Sequence, residues 1–174
     1  ATRLATFIVT EPKVYETTIR FGAETDTDDC TGSVVRSADA PSDAAIRDAI
    51  PALTGDIMQV PPAYSAKSVD GTRAYDAARE GAPLDLPATR VNVSEWEIGE
   101  RRGNDLDVVI TCGTGTYIRG LARDLGRATG SAAHLASLRR TRAGAFDVSK
   151  ASTLEALKQS PPPLRTLHIV AEDV

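Results

Sequence analysis

The segment from Cys112 to Arg119 combines a glycine-rich turn with a tyrosine and an arginine, residue types that bind anions and assist proton transfer. We predict a strand that ends at Cys112, a turn at 113–116 and a helix after Tyr117. Free N–H groups at a helix N-terminus bind anions, and the forked donors of Arg119 suit a carboxylate or a phosphate. Because the turn is neither a G-x-G-x-x-G motif nor a P-loop, an anion site and a plain tight turn both remain open.

A second candidate segment, Pro61–Lys67, contains Tyr64 and Lys67 in a proline-stiffened stretch. Its consecutive prolines exclude a central strand, since proline cannot donate a hydrogen bond to a sheet. The segment is either a rigid loop around a half-buried Tyr64, or a contact to RNA in which the ring stacks on a base and Lys67 supplies charge.

Arginines are concentrated in the region 119–142, although the chain has a net charge of -4. They are Arg119, Arg123, Arg127, Arg139, Arg140 and Arg142. An acidic cluster far upstream contains Glu24, Asp26, Asp28 and Asp29. The arginines either bind phosphates or lie on a solvated helix face with counter-charges folded nearby. Alternation along a strand places Arg139 and Arg140 on opposite faces, so only some of these arginines reach one ligand.

The composition is that of an ordinary folded domain. The 174 residues are 41% hydrophobic and 25% charged, enough for one sizeable core, and no apolar run reaches the ~20 residues of a membrane span. A Cys30–Cys112 disulfide is formally possible, but the two cysteines are interpreted as reduced thiols, which favours a cytoplasmic location. With two distant histidines they form no apparent metal site. His134 is interpreted as a packed or capping residue, because no nucleophile and acid accompany it at a recognisable spacing.

Hydrophobic periodicity predicts the elements that position these side chains. Alternation predicts a strand over 15–21 with one buried face, followed by a polar loop over 24–32. Strands over 91–98 and 106–112 are predicted to pair as an antiparallel hairpin. Another strand is predicted over 139–148.

Helices are predicted where apolar residues recur at three- and four-residue spacing. They cover 43–50, 74–79, a stretch from Ile118 that ends at Gly130, and 132–137. Ser42 is the predicted N-cap of the first helix and Pro51 ends it, while Asp70-Gly71 is a turn signal. Because helices and strands alternate irregularly, we expect the α+β class, with a mixed, largely antiparallel sheet flanked by helices.

Taken in order, these segments resemble the TruB family of pseudouridine synthases. The similarity extends over roughly residues 1–155 and is carried by ordered motifs that include KVY to RFG at 13–22, TDTD at 25–28, QVPPAYSAK at 59–67, GTYIR at 115–119, DLG at 124–126 and LRRTRAGAF at 138–146. One such motif occurs by chance, whereas this many in order is specific. The residues of these motifs resemble those of bacterial members more than those of archaeal or eukaryotic relatives.

The resemblance implies an isomerase that converts one uridine in the T-arm loop of tRNA to pseudouridine, without cofactor or metal. The base is detached from C1′ through N1, rotated and rejoined through C5, and it must first leave its stack. By carry-over, Tyr15 stacks on the base, Tyr117 lies beside it and assists proton transfer, and Leu138 packs in the pocket wall. Arg119 is implied to pair with the catalytic aspartate and keep it ionised. The implied RNA contacts are Tyr64, Lys67, Arg139, Arg140 and Arg142.

One part of the family pattern is missing from these 174 residues. In the family, a Gly-Leu-Asp-Pro type of motif supplies the aspartate that attacks the nucleotide, just before the segment that matches Ala1-Thr2-Arg3-Leu4. The acids at 24–29 match a different family segment and are not candidates for the nucleophile. We therefore expect a fragment of a longer enzyme that is inactive alone and that lacks the C-terminal RNA-binding domain common in bacterial members.

The sequence thus predicts a partial pseudouridine synthase catalytic domain over 1–160 and a linker or domain-end segment over 161–174. The intact enzyme is expected to be a monomer that acts on tRNA. One alternative is a non-catalytic RNA-binding or RNA-chaperone module of the same fold, which an aspartate motif encoded upstream would argue against. Another is a module that binds small phosphorylated ligands at 113–116, which would bind nucleotides regardless of tRNA structure.

Overall fold

The structure, a computed structural model, describes residues 10–69 and 71–161. Its strands are β1 (Lys13–Phe21), β2 (Ala23–Thr25), β3 (Val34–Ser37), β4 (Gly55–Gln59), β5 (Ser68–Val69), β6 (Thr72–Arg73), β7 (Thr89–Arg102), β8 (Asp105–Cys112), β9 (Ala133–Ala143) and β10 (Phe146–Asp147). Across these described ranges, six strands form one sheet in the order β10-β9-β1-β8-β7-β4, and β2-β3 and β5-β6 form two small sheets. The paired strands run antiparallel.

Four α-helices accompany the strands in the described ranges. They are α1 (Asp43–Ala49), α2 (Ala74–Arg79), α3 (Ile118–Ala128) and α4 (Leu154–Gln159), with 3-10 turns at Ile50–Leu53 and Val148–Lys150. Ser42 Oγ accepts a hydrogen bond from the Ala45 N–H at 3.2 Å, which confirms the predicted N-cap of α1. α1 ends before Pro51, which lies in the 3-10 turn that follows. Among the helices of the described ranges, none is long and apolar enough to cross a membrane.

The core lies between α3 and the large sheet. Ile19 and Phe21 of β1 and Leu121 and Leu125 of α3 are at most 2% exposed and belong to one hydrophobic cluster. Burying each such side chain contributes about 1.5–3 kcal/mol relative to leaving it in water. Gly126 allows α3 to approach β9 closely, because a Cβ there would lie 2.5 Å from the next strand's Ala133 nitrogen. This packing fixes how α3 lies on the sheet.

The register between β1 and β8 determines which residues lie together at one end of the large sheet. Lys13 at the start of β1 pairs with Cys112 at the end of β8, so the turn at 113–116 and the start of α3 lie at the same end of the sheet as Tyr15. β7 pairs with β8 through contacts such as Trp96 with Ile110. The predicted hairpin is therefore confirmed, with β7 longer than expected.

The helix predicted over 132–137 is wrong, because these residues belong mostly to β9. Leu135 pairs with Ile19 of β1 and is 2% exposed. An alanine-rich stretch this short has only a weak helix preference, and long-range pairing with a central strand outweighs it. The strand predicted over 139–148 accordingly begins too late, and it is divided between β9 and β10.

Some sequence predictions fall outside the described residues. They are the match at Ala1–Leu4, Asp70 of the Asp70-Gly71 turn, and all but the first residue of the predicted 161–174 segment. Gly71 itself is described and takes a φ of 82°, a left-handed conformation typical of glycine in turns.

Candidate active site

The acidic segment 24–29 docks along the arginine row of α3. Arg119, Arg123 and Arg127 follow one another at four-residue spacing, which places them on one side of the helix. Carboxylates of the acidic segment pair Asp29 with Arg119, Asp28 with Arg123, and Glu24 with Arg127, and Arg123 also pairs with Asp124 of its own helix. The expected counter-charges are therefore folded nearby, but the expected solvated helix face is wrong at Arg123, whose side chain is 8% exposed.

Arg119 is held from two sides. Its guanidinium donates to Asp29 Oδ2 at 3.1 Å and to the Thr27 carbonyl at 3.0 Å, both in the acidic segment. It also donates to the Tyr64 carbonyl at 2.7 Å, in the proline-stiffened segment. Although burial opposes it, hydrogen bonds from Thr31 and Thr27 hold the pKa of Asp29 below its ordinary value. Arg119 is therefore a fixed positive charge beside an ionised carboxylate.

Asp28 and Arg123 form the buried pair of the row. Arg123 Nη1 lies 2.9 Å from Asp28 Oδ2, and the two side chains are 8% and 7% exposed. Burial raises the pKa of Asp28 to about 6, even though Arg123 favours its charged form. The φ of Asp28 is 59°, a left-handed conformation that aspartate tolerates better than most residues. This turn of the backbone lets the consecutive residues Asp28 and Asp29 reach different arginines.

Gln59 fixes the start of α3 and was not among the residues predicted from sequence. Its side chain accepts a hydrogen bond from the Tyr117 N–H at 2.9 Å and donates one to the Tyr117 carbonyl at 3.0 Å. One planar amide thus holds both main-chain polar groups of Tyr117 and satisfies an N–H group that has no partner within the helix. Gly120 leaves room for this contact, since a Cβ there would lie 3.0 Å from Gln59 Nε2.

The turn at 113–116 is occupied by the protein's own side chains. The Thr114 N–H donates to Glu11 Oε1 at 2.6 Å, and Lys13 Nζ donates to Thr114 Oγ1 at 3.2 Å. Hydrogen bonds from Thr114 hold the pKa of Glu11 below its ordinary value. Because a carboxylate already takes the Thr114 N–H and Gln59 takes that of Tyr117, the geometry favours a tight turn over a phosphate site.

Tyr15, Leu138 and Arg140 share the face of the sheet that α3 covers. Tyr15 pairs with Arg140 and Thr17 with Leu138, and directly opposed residues of antiparallel strands lie on the same face. Tyr15 packs against the core, whereas Leu138 is 49% exposed. A cavity of about 210 Å³ is lined by Asp29, Cys30, Arg119, Leu135, Ala136, Ser137 and Leu138. Two of the sequence-predicted site residues, Arg119 and Leu138, therefore meet in one cavity.

Arg139 and Arg142 lie on the opposite face of the sheet. Arg139 pairs with Glu16 and Arg142 with Val14, and the register shifts between Val14 and Tyr15. This β-bulge adds one residue, Thr141, and so returns Arg142 to the side of Arg139. The prediction that Arg139 and Arg140 face opposite ways is confirmed.

The proline-stiffened segment forms a rigid loop around Tyr64. The Tyr64 ring is half-buried and meets the Tyr75 ring edge-on, with centroids 6.0 Å apart. The Lys67 carbonyl accepts a hydrogen bond from the Ala74 N–H at 2.8 Å, which ties the loop to α2. The rigid-loop interpretation of Tyr64 therefore fits the structure, and the loop has a further task, because its carbonyl holds Arg119.

Three residues considered from sequence take up plain structural positions. His134 is 7% exposed and its Nδ1 lies 2.7 Å from the Ala23 carbonyl, which confirms it as a packed residue. Both cysteines are free. Cys112 is fully buried in the core, and Cys30 is exposed at the wall of the 210 Å³ cavity.

Two family models match the chain. Residues 1–118 match the TruB family pseudouridylate synthase (N terminal domain), and residues 119–162 match the tRNA pseudouridylate synthase B C-terminal domain. The chain belongs to the TruB family. In this TruB chain the large sheet takes strands from both matched segments, since β9 and β10 follow residue 119 and β1, β4, β7 and β8 precede it.

Curated proteins similar to this TruB chain are named tRNA pseudouridine synthase B. One from Arthrobacter sp. (strain FB24) is 47% identical over 167 residues, which cover 91% of this chain and 55% of the relative. One from Corynebacterium aurimucosum is 48% identical over 166 residues, which cover 92% of this chain and 56% of the relative. The chain spans about half the length of the curated relatives it matches.

Solved structures share the fold. A chain of a Cbf5-Nop10-Gar1 complex matches with a TM-score of 0.64 and 26% identity, covering 91% of this TruB chain and 39% of the solved chain. A chain of an H/ACA RNP bound to a substrate RNA containing 2'-deoxyuridine matches with a TM-score of 0.61 and 22% identity. The match covers 91% of this TruB chain and 37% of the solved chain. The second likeness concerns the fold alone. The predicted α+β class with a largely antiparallel sheet is confirmed.

The raised pKa of Asp28 predicts a pH dependence of stability. The carboxyl of an unfolded chain releases its proton near 3.8, whereas folded Asp28 keeps its proton up to about 6. Between these values the folded state binds more protons, so the stability contributed by Asp28 is present below pH ~4 and is lost as the pH rises through ~6. The difference between the two pKa values corresponds to about 3 kcal/mol.

We expect the free energy of unfolding of the wild-type chain to fall relative to that of Asp28→Asn between pH ~4 and ~7, and to run parallel above that range. Urea denaturation followed by Trp96 fluorescence measures both. Asp105→Asn is the matched control: a hydrogen bond from Arg20 lowers the pKa of Asp105, so wild type should not lose stability relative to this variant as the pH rises. Parallel curves for wild type and Asp28→Asn across this range would contradict the raised pKa.

Proposed function

We propose that the full-length protein containing this chain isomerises one uridine in the T-arm loop of tRNA to pseudouridine. The observation that carries the proposal is the cavity between Arg119 and Leu138, where a fixed guanidinium faces an apolar wall in a TruB-family chain. The names of the curated relatives support tRNA as the substrate. The reaction breaks the C1′–N1 bond, forms a C1′–C5 bond, removes the C5 proton and leaves N1 protonated, so it needs no oxidant or reductant.

Arg119 has the capacity to hold an attacking aspartate. A guanidinium carries five N–H donors, and the contacts to Thr27, Asp29 and Tyr64 use three of them. Within the described ranges 10–69 and 71–161, two donors have no partner, in a side chain that lines the cavity and is 25% exposed. We propose that a nucleophilic aspartate from outside this sequence binds there, and that the adjacent positive charge keeps it ionised. Asp29 is not proposed as the nucleophile, because Thr27, Thr31 and Arg119 already engage its oxygens.

The other site residues act on the base. Tyr15 offers an aromatic face on which a flipped uracil stacks, and Leu138 forms an apolar wall that keeps water from the reacting carbon. Tyr117 assists the proton transfer, and its place is set by the Gln59 amide at the start of α3. These roles need no metal or cofactor.

The RNA path is proposed to follow the face of the sheet that carries Tyr15. Arg140 shares that face, and Tyr64 and Lys67 border it through the loop that holds Arg119. Arg139 and Arg142 point to the opposite face and contact RNA only where it passes the β9–β10 edge of the sheet. We further propose that the enzyme acts as a cytoplasmic monomer, with residues 1–160 in its catalytic domain and 161–174 as a linker or domain end.

The role of Arg119 predicts a loss of turnover rather than of binding. In the full-length protein, Arg119→Ala should lower kcat about a hundredfold or more, because the charge that orients and ionises the aspartate is gone. The Kd for tRNA should change by less than about threefold. Tritium release from tRNA labelled at uridine C5 measures turnover, and filter binding measures affinity.

Arg102→Ala is the control for Arg119→Ala. Arg102 is 52% exposed and pairs with Glu100 and Asp107 on the far side of the sheet, so its loss should change neither quantity. Equal losses of turnover and affinity in Arg119→Ala would contradict the proposal that Arg119 binds the nucleophilic aspartate.

The opposite orientation of two neighbouring arginines predicts unequal effects on RNA binding. Arg140→Ala should weaken tRNA binding and reduce the slope of log K against log salt by about 1, as expected for one lost phosphate contact. Arg139→Ala is the matched neighbour and should reduce the slope clearly less. Filter binding over a salt series measures both slopes. A larger reduction by Arg139→Ala would place the RNA on the other face of the sheet.

A further inference from the structure

Two arginines of α3 connect the same two segments of the chain. Arg119 bridges the acidic segment to the Tyr64 carbonyl. Arg123 repeats this one helical turn later, since its Nη1 donates to Asp28 Oδ2 at 2.9 Å and its Nη2 donates to the Val60 carbonyl at 2.7 Å. Both segments that surround Arg119 are therefore fastened a second time by Arg123.

The two bridges differ in their access to water. The side chains of Arg119 and Asp29 are 25% and 26% exposed, whereas those of Arg123 and Asp28 are 8% and 7% exposed. A pair in contact with water contributes little to holding a geometry. A buried pair cannot open without leaving an unpaired charge away from water, which is strongly unfavourable. The rigid member of the two bridges is therefore Asp28–Arg123.

The backbone transmits the position of Asp28 to its neighbour Asp29. The Asp28 N–H donates to the Thr25 carbonyl at 3.1 Å, and its carbonyl accepts from the Leu135 N–H at 3.0 Å. Asp29 then forms a parallel bridge with Leu135. With its side chain on Arg123 and both of its main-chain groups bonded, Asp28 leaves the Asp29 carboxylate little freedom to move.

We propose that the buried Asp28–Arg123 pair is a positioning device that sets where Asp29 and Arg119 lie in the candidate active site. The pair touches neither the base nor the reacting atoms, and it acts through Arg119. Its effect on turnover rests on the proposed function, whereas its effect on geometry is measurable in this chain without substrate.

Amide hydrogen exchange, detected by NMR in the 174-residue chain, tests the geometric part. The Thr31 N–H donates to Asp29 Oδ1 at 3.0 Å, and the Leu135 N–H donates to the Asp28 carbonyl, so both amides report on the docked segment. At pH ~7.5, where Asp28 is ionised because its pKa is about 6, Asp28→Asn keeps the size of the side chain and removes its charge. We expect both amides to exchange about tenfold faster or more, while the Ile110 amide in the buried β8 strand keeps its rate.

The matched control is Asp105→Asn, which makes the same substitution in the exposed Arg20–Asp105 pair. Its Thr31 and Leu135 amides should exchange as in wild type. Unchanged exchange at Thr31 and Leu135 in Asp28→Asn would overturn the proposal. Faster exchange throughout the chain, Ile110 included, would also overturn it, because it would show a general loss of stability instead of a local change.

A double-mutant cycle in the full-length protein tests the catalytic part. Asp28→Asn should lower kcat about tenfold, with little change in the KM for tRNA, because small displacements of a reacting group slow turnover strongly. In an Arg119→Ala background the same substitution should have no further effect, since the group through which it acts is absent. Arg123→Lys, which keeps a charge for Asp28, should recover part of the kcat lost in Arg123→Met.

Equal losses of kcat from Asp28→Asn in both backgrounds would overturn the proposal, because Asp28 would then act independently of Arg119. Failure of the proposed function gives a different result, in which wild-type protein forms no pseudouridine at all. The exchange rates then decide alone: faster exchange confined to Thr31 and Leu135 supports the positioning device, and unchanged rates reject it.

Discussion

The ion pairs between the acidic segment 24–29 and the arginine row of α3 are the interaction on which the candidate site depends. Guanidinium groups at four-residue spacing along one helix repel one another, and so do the clustered carboxylates upstream. Docking one set on the other offsets these repulsions and brings Asp29 beside Arg119. The cost is desolvation, which is largest where burial raises the pKa of Asp28 to about 6. A buried pair of this kind is better explained by the geometry it fixes than by stability it adds.

Two further contacts give this docking a fixed frame. The packing of Leu121 and Leu125 against the sheet, with Gly126 in close approach to β9, sets the line along which the arginines lie. The Gln59 amide then fixes the main chain at Tyr117, the N-cap residue of α3. The helix is thus held along its length by the core and at its start by one buried side chain. A shift of α3 along the sheet would move Tyr117 and Arg119 together, because one helix turn carries both.

Local residue patterns correctly predicted the strands and helices that have one apolar face. They failed where the structure depends on contacts between residues far apart in sequence. The strand that carries Tyr15 and the helix that begins at Ile118 follow from spacing alone. The stretch 132–137 does not, because its pairing with β1 is a long-range contact that outweighs a weak local preference.

Both charge clusters of the candidate site are visible in the sequence. Which residues pair is not visible, since Asp29 and Arg119 are 90 positions apart. Gln59 belongs to no chemical pattern of its own, and its role appears only once the strand that it ends lies beside α3. The roles of Tyr15, Tyr117 and Leu138 came from ordered family motifs and remain predictions.

The central claim is that the full-length protein forms pseudouridine in the T-arm of tRNA. It is measured most directly by incubating an unmodified tRNA transcript with the protein, labelling pseudouridine with a carbodiimide and locating the label by reverse transcription. We predict one modified position, in the T-arm loop, formed without added metal or cofactor. No pseudouridine at saturating protein, or a modified uridine in another arm of the tRNA, would contradict the claim.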